Sequence, residues 1–428
     1  MKIKSNILFK SSSIYIVSNL INSIVPFVLL PYLTSKLAPS GYALISLISL
    51  SISFFVPFIG FSTYGALLKR FYENENYNYK SYLSNCFYVL LSSIIFFLLI
   101  IYCFDNLISS FFLIPKKTIV YILVICSSNF VHQLLLTTWR VNNKPYKYAL
   151  FQVSLTFLNL ILTYILISYY NLDWEGRILA WMYSNLFFGV ISIIYLWYKS
   201  YIFKSINTKY IKDAINFSLP LIPHAIGSIL IGVFSRLIVG KTLGIDEVGI
   251  FSVSYQFATV LGVVFAAFNT AFVPWLFNKL KTESVNTSYL VQISYKLMIL
   301  FIVGTILSYY VILFSFQYIV DSKFSESKDH IFILLLSFMF NGFYYLVTNY
   351  IFYKNQTKYL GYSTGIISLI HLPLCYFLTL YFGLKGTTIS IMISYAVLFI
   401  STWIISNKIY PMPWLNEFKL IFNKNKHV

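Results

Sequence analysis

The sequence predicts an all-α integral membrane protein with twelve transmembrane helices. They fall in two six-helix bundles related by a pseudo-two-fold along the membrane normal. Three observations lead there. Twelve apolar segments of ~20 residues fill nearly the whole chain, each long enough to cross ~30 Å of hydrocarbon as a helix. Hydrophobic residues make up 58% of the 428 positions and charged residues only 10%, with a mean hydropathy of +0.75; soluble domains run near 25% charged. The cations, moreover, gather on one side of the predicted layer.

The elements follow in order. The first span covers 12–34. Lys2, Lys4 and Lys10 precede it as in a secretory leader, but the run is too long and lacks a small-residue cleavage site, so it reads as an uncleaved helix. The next five spans cover 43–64, 84–104, 118–138, 148–169 and 178–198. The stretch 199–213, with Lys199, Lys204, Lys209 and Lys212, reads as a basic link along one membrane face. Spans at 215–237, 248–273, 290–313, 331–352, 359–381 and 386–406 complete the set. Prolines inside several of these, such as Pro26, Pro31, Pro57, Pro220, Pro223 and Pro373, are tolerable because neighbouring helices accommodate the kinks. Gly361 and Gly365 permit close helix packing. Barrel strands would be half as long and would alternate in polarity. The domain division is 1–203 for the first bundle, 204–213 for the link, 214–410 for the second bundle and 411–428 for a tail.

Charge sets the orientation. With the N-terminus in the cytoplasm, 22 of the 31 Lys and Arg residues fall on the cytoplasmic side and 9 outside, while the 13 acidic residues divide 5 inside and 8 outside. This is the positive-inside pattern, with both termini cytoplasmic and an even number of spans. A net charge of +18 and a pI near 9.4 could suggest nucleic acid. The cations are instead spread over short loops beside helix ends, where they serve topology and anionic headgroups, and nucleic acid is excluded as a partner.

The halves repeat. Leu37-Ala38-Pro39-Ser40-Gly41-Tyr42 lies over Leu243-Gly244-Ile245-Asp246-Glu247-Val248, Ser81-Tyr82-Leu83 over Ser288-Tyr289-Leu290, and Lys147-Tyr148 over Lys358-Tyr359. A six-span repeat preserves orientation, which places the relating axis along the membrane normal and suits a carrier whose halves rock about a central cavity.

Polar groups at membrane depth are the best functional pointers. His224 and Arg236 lie in the seventh span, and each admits a cavity role or a packing and snorkelling role. Arg70, Arg140 and Lys296 sit at inner span ends, where they serve as substrate contacts or as topological anchors. His132 and His371 lie near mid-depth. No Asp or Glu does, which argues against a carboxylate-centred ion site and leaves these two histidines as ion-coupling candidates. No cofactor is expected. Gly240-Lys241-Thr242 ends like a phosphate-binding loop, but Ser235 stands where the first glycine is needed. His132, His224, His330, His371 and His427 have no metal spacing. Cys86, Cys103, Cys126 and Cys375 read as membrane packing residues.

Several motifs carry a family resemblance. They are Phe217-Ser218-Leu219-Pro220-Leu221-Ile222-Pro223-His224, Ser235-Arg236, and Leu243-Gly244-Ile245-Asp246-Glu247-Val248-Gly249-Ile250-Phe251-Ser252. Pro31-Tyr32-Leu33-Thr34, Arg70-Phe71-Tyr72, Pro274-Trp275-Leu276, Thr357-Lys358-Tyr359 and Tyr410-Pro411-Met412-Pro413-Trp414 add to them. Together they make the chain resemble the polysaccharide-transport family, the O-antigen and capsule flippases, over its whole length. The resemblance implies a V-shaped carrier in a bacterial cytoplasmic membrane. Its substrate would be an undecaprenyl-pyrophosphate-linked oligosaccharide, moved from the inner to the outer leaflet. Membrane lipids, and a polymerase and chain-length regulator of the same pathway, are the implied partners. Two positions depart from the family pattern: Ser235, where an acidic residue is frequent, and His371, where asparagine is. A multidrug exporter of the same superfamily and an integral-membrane glycosyltransferase or polymerase are the rival readings. The first lacks its usual carboxylate in span one, and the second lacks a large outer catalytic loop.

Overall fold

The computed structural model describes residues 2–73, 77–203, 206–281 and 286–423; the side chains of 2–13, 16, 20, 224, 225, 228 and 419–423 are not described. The described chain is all-helical. It separates into two compact units, Met1–Ile229 and Leu230–Val428.

The first unit is built from α1 (Lys2–Lys36), α2 (Pro39–Phe55), α3 (Tyr64–Tyr72), α4 (Tyr79–Phe112), α5 (Lys116–Val141), α6 (Pro145–Tyr164), α7 (Asp173–Tyr198) and α8 (Thr208–Ser218). Local chemistry sets many of the ends. Pro39 and Pro145 occupy first-turn positions, where a missing N–H costs nothing. Asn78 caps α4 by accepting from the Ser81 N–H at 3.1 Å, and Asn207 caps α8 by accepting from the Lys209 N–H at 3.0 Å. The expected span at 43–64 is a bent pair. α2 and the segment Ile59–Tyr72 meet at 59°, with Gly60 at φ +62 in the bend. A Cβ there would lie 2.3 Å from the Phe130 ring, so only glycine fits. α6 runs on through a π-helical turn to Tyr169.

α9 (Ile222–Thr242) leads from the first unit into the second, which continues with α10 (Ile245–Leu280), α11 (Thr287–Ile319), α12 (Lys328–Tyr353), α13 (Lys358–Ile409) and α14 (Trp414–Asn423). α10 and α12 pack as knob and notch in both directions: the Phe338 ring fills the space over Gly262, and the Phe265 ring the space over Gly342. The 52 residues of α13 are not one rod. Gly383 breaks the helix at φ 58, ψ −145. Side chains then pair across the break, Ser363 with Ser401 at 3.0 Å, His371 with Ser394 at 2.9 Å and Thr379 with Thr387 at 2.8 Å. Their sequence midpoints all lie at 382–383, which defines two antiparallel arms folded at Gly383.

Among the described residues, nine helices are long and apolar enough to cross a membrane, ten with the bent pair as one crossing. The protein is therefore a multi-pass membrane protein.

Candidate functional site

The titratable residues singled out by the sequence do not share one environment. Among the described residues, no two of the seven share a hydrogen bond or ion pair.

Arg236 is buried on α9. Its Nε donates to Ser252 Oγ at 3.3 Å and its Nη1 to the Gly232 carbonyl at 3.1 Å. The guanidinium carbon lies 4.3 Å from the Tyr255 ring centroid and 5.5 Å from that of Phe251. Rings of this kind attract a cation through their quadrupole. Gly232, one turn earlier, leaves room for this arrangement; a Cβ there would lie 3.6 Å from Arg236 Nη1 and 3.2 Å from the Tyr255 hydroxyl.

His371 is fully buried on the first arm of α13. Its Nε2 meets Ser235 Oγ at 3.0 Å and its Nδ1 meets Ser394 Oγ at 2.9 Å. The two departures from the resembled family pattern, Ser235 and His371, are thus hydrogen-bonded to each other across 136 residues of sequence. His224 lies on the first turn of the same helix as Arg236, with its side chain outside the description.

Arg70, near the end of α3, is held on several sides. Nε and Nη2 donate to the two oxygens of Asp213 on α8, both at 2.8 Å, and Nη1 donates to Glu73. The Tyr82 hydroxyl also donates to Asp213 at 2.8 Å. The Tyr77 and Phe217 rings lie at 4.8 and 5.7 Å from the guanidinium. This fork-on-fork pairing fixes position as well as charge. Burial raises the Tyr77 phenol above its ordinary value, and the Asp213 carboxylate adds to the effect.

The remaining candidates lie in the first and second units without a common centre. Arg140 is exposed at the end of α5, with Nη2 donating to the Tyr148 hydroxyl at 3.4 Å. His132 is buried on α5 and meets the Asn185 carbonyl at 3.1 Å. Lys296 is exposed on α11.

Sequence reasoning missed one cation. The charge pattern places Arg177 among the nine outer cations. It is half-buried, and Nη1 donates to Asn159 Oδ1 at 2.6 Å and Thr163 Oγ1 at 3.0 Å. Asn159 in turn donates to Ser184 at 3.0 Å, and the Trp181 ring lies 5.7 Å from the guanidinium. Among the described residues no carboxylate lies within 4 Å of it: Glu175, two residues away, is taken by Lys117. The signal that could have found it is the run of polar residues at helical spacing on α6, discussed below.

Comparison with known proteins places these features. The family sequence model described as "Polysaccharide biosynthesis protein" matches residues 8–280. An "Uncharacterized membrane protein" of Haemophilus influenzae is 28% identical over 372 residues, covering 85% of this chain and 89% of the relative. The structure of the lipid II flippase MurJ in an inward closed conformation superposes with a TM-score of 0.73 at 13% identity, covering 97% of this chain and 92% of the other. An inward-facing multidrug resistance MATE transporter of the MOP superfamily superposes at 0.68 with 17% identity, covering 90% and 94%. Both solved proteins are transporters, and at these identities they establish a shared fold. With well over half of its length matched by the family model, this chain belongs to the polysaccharide biosynthesis protein family and has the fold of MOP-superfamily transporters.

Proposed function

We propose that this protein is a flippase. It carries an undecaprenyl-pyrophosphate-linked oligosaccharide, an O-antigen or capsule repeat unit, from the cytoplasmic to the outer leaflet of a bacterial inner membrane by alternating access. The observation that carries the reading is the family match over residues 8–280 together with the likeness to a lipid II flippase. Twelve crossings result when the two arms of α13 count separately and α9 and the bent pair are added to the other eight long helices. Six fall before the α8 link and six after it, as the sequence repeat requires. The charge asymmetry supports cytoplasmic termini. Membrane lipids and a polymerase with its chain-length regulator remain the proposed partners.

The chemistry fits the task. An ionised headgroup in hydrocarbon faces an idealised desolvation cost of order 20 kcal/mol per ion. Guanidinium groups fixed within the helices replace part of that hydration. In this reading Arg236, cradled by Tyr255, is the principal cation of the second half, with His224, Arg140 and Lys296 as further headgroup contacts and His132 and His371 as coupling groups. Arg70, with its fork filled by Asp213, holds α8 in place.

Deleting the gene tests the reading. Lipid-linked units should accumulate on the inner leaflet and surface polymer should vanish while the units are still made. Failure to synthesise the units at all would point to an enzyme, and normal polymer with raised drug sensitivity to an exporter of the multidrug type. Arg236→Ala should abolish surface polymer at normal protein level, and wild-type export from it would remove Arg236 from the mechanism. Reporter fusions at Lys144 and Glu175 should read cytoplasm and exterior, and a cytoplasmic Glu175 would break the orientation.

A further inference from the structure

α6 carries a polar stripe along most of its length. Tyr148, Gln152, Thr156, Asn159 and Thr163 recur every three or four residues. At ~100° per residue they fall within an arc of about 80° on one face of the helix, and by helical rise they extend over ~22 Å. An arginine contacts each end. Arg140 donates to the Tyr148 hydroxyl, and Arg177 donates to Asn159 and Thr163. Two residues of α1 face the stripe: Tyr148 donates to Asn19 Oδ1 at 3.1 Å, and Thr156 donates to Asn22 Oδ1.

Polar stripes can be glue between membrane helices. Glue requires that the groups find partners, because an unsatisfied polar group in hydrocarbon costs several kcal/mol. Tyr148, Thr156, Asn159 and Thr163 meet that requirement, each buried and hydrogen-bonded; Gln152 and, at the end of the stripe, Arg177 do not. Gln152, in its middle and only partly buried, makes no hydrogen bond among the described residues. Arg177 uses one nitrogen, Nη1, for both of its hydrogen bonds, and Nε and Nη2 have no acceptor among the described residues. Among the described residues its charge has no carboxylate within 4 Å, in contrast with Arg70. The guanidinium carbon lies over the Trp181 ring, and the Nε–Nη2 edge has the geometry for a planar, doubly accepting group.

We propose that Arg177, with Gln152 farther along the same side of α6, forms a binding site for a hydroxyl-rich anionic headgroup, and that Arg177 is its outer anion station. The proposal rests on the flippase reading for its direction, since Arg140 then lies at the inner end and Arg177 at the outer. The Gln152 amide meets a sugar hydroxyl, and the guanidinium fork takes an anionic oxygen pair. Such a pair comes from the pyrophosphate or from a sugar carboxylate, and soluble probes separate the two sources.

The test uses the full chain in lipid nanodiscs, reading the fluorescence of Trp181 and its neighbours against inorganic pyrophosphate, glucuronate and glucose. Wild type should respond to at least one anion and far more weakly to glucose. A pyrophosphate response assigns the phosphate source; a response to glucuronate alone assigns a sugar acid. Arg177→Gln should weaken the responding anion at least tenfold, with Arg177→Lys intermediate. No response to either anion in wild type, or equal affinity in Arg177→Gln, overturns the proposal. Gln152→Leu supplies a second arm that leaves the fold intact. Export in cells should fall several-fold at unchanged protein level and melting temperature. Wild-type export with Gln152→Leu would reduce the whole stripe to packing and overturn the sugar contact. The binding arm does not depend on the cellular substrate: anion binding that persists where the gene deletion leaves surface polymer intact would refute the flippase reading and keep the site.

Discussion

Arg70 and Arg177 lie in the same helical unit, and the chain holds a guanidinium drawn in from solvent in opposite ways at the two positions. Around Arg70, Asp213 and Glu73 fill the fork, and Tyr82 and Tyr77 supply further hydroxyls to the same carboxylate. The neighbouring link is pinned as well: Asn85 Oδ1 accepts from the Asn207 N–H at 2.8 Å, and the Phe203 carbonyl accepts from Ser84 at 2.7 Å and Tyr88 at 3.0 Å. Around Arg177 the partners are an amide, a hydroxyl and an indole, all neutral. A guanidinium neutralised by a bidentate carboxylate has little left to offer a ligand and works as a fastener. One held by neutral groups keeps its charge for something that arrives.

The largest effect should come from breaking the fastener. Asp213→Ala leaves Arg70 buried with most of its fork empty. Loss of one partner of a buried pair costs about 3 kcal/mol or more, so the melting temperature of the purified protein should drop sharply. The double replacement Arg70→Met with Asp213→Leu should recover much of it, since the charge that needed pairing is gone. An Asp213→Ala protein that melts like wild type would reduce the clamp to a surface contact.

Arg177→Gln should be milder for the fold. It loses hydrogen bonds to a charged donor, about 1.5–3 kcal/mol, while Asn159 keeps Ser184. Export should nevertheless fall much further than the melting point would suggest. A destabilisation as large as that of Asp213→Ala would erase the contrast between the two arginines.

The smallest effect serves as the control. Lys117 and Glu175 form an ion pair with side chains 52% and 24% exposed. Pairs of this kind contribute at most ~1 kcal/mol and are screened by salt. Glu175→Gln should change the melting temperature little and leave export intact. A strong export defect would mean that Glu175 restrains Arg177 after all.

Much of this architecture was legible before any coordinates. Apolar length alone located α1, α4 to α7 and α10 to α12. The break between 381 and 386 appears as the Gly383 fold. The helix beginnings at Pro39 and Pro145 follow from proline's missing donor. The site was less legible. Position along the chain assigns Arg70 to an inner span end and Arg177 to the outer charges, and says nothing about what faces either side chain. The stripe on α6 was open to view, since a spacing of three and four is a local pattern. It was hidden by a hydropathy reading, which averages Gln152 and Asn159 into their apolar neighbours.

The sequence by itself determined the membrane class and the approximate bounds of most of the apolar segments. Each depends on properties of residues near one another along the chain, read by a solvent that is uniform in two dimensions. Only the tertiary structure decided which cations are spoken for. Arg70 and Asp213 meet across 143 residues, and Ser235 and His371 across 136. Arg177 reaches Asn159 on a neighbouring helix. Electrostatic compensation acts over a few ångströms of space, whatever the separation in sequence. The choice between a fastener and a binding group is therefore made by helix packing.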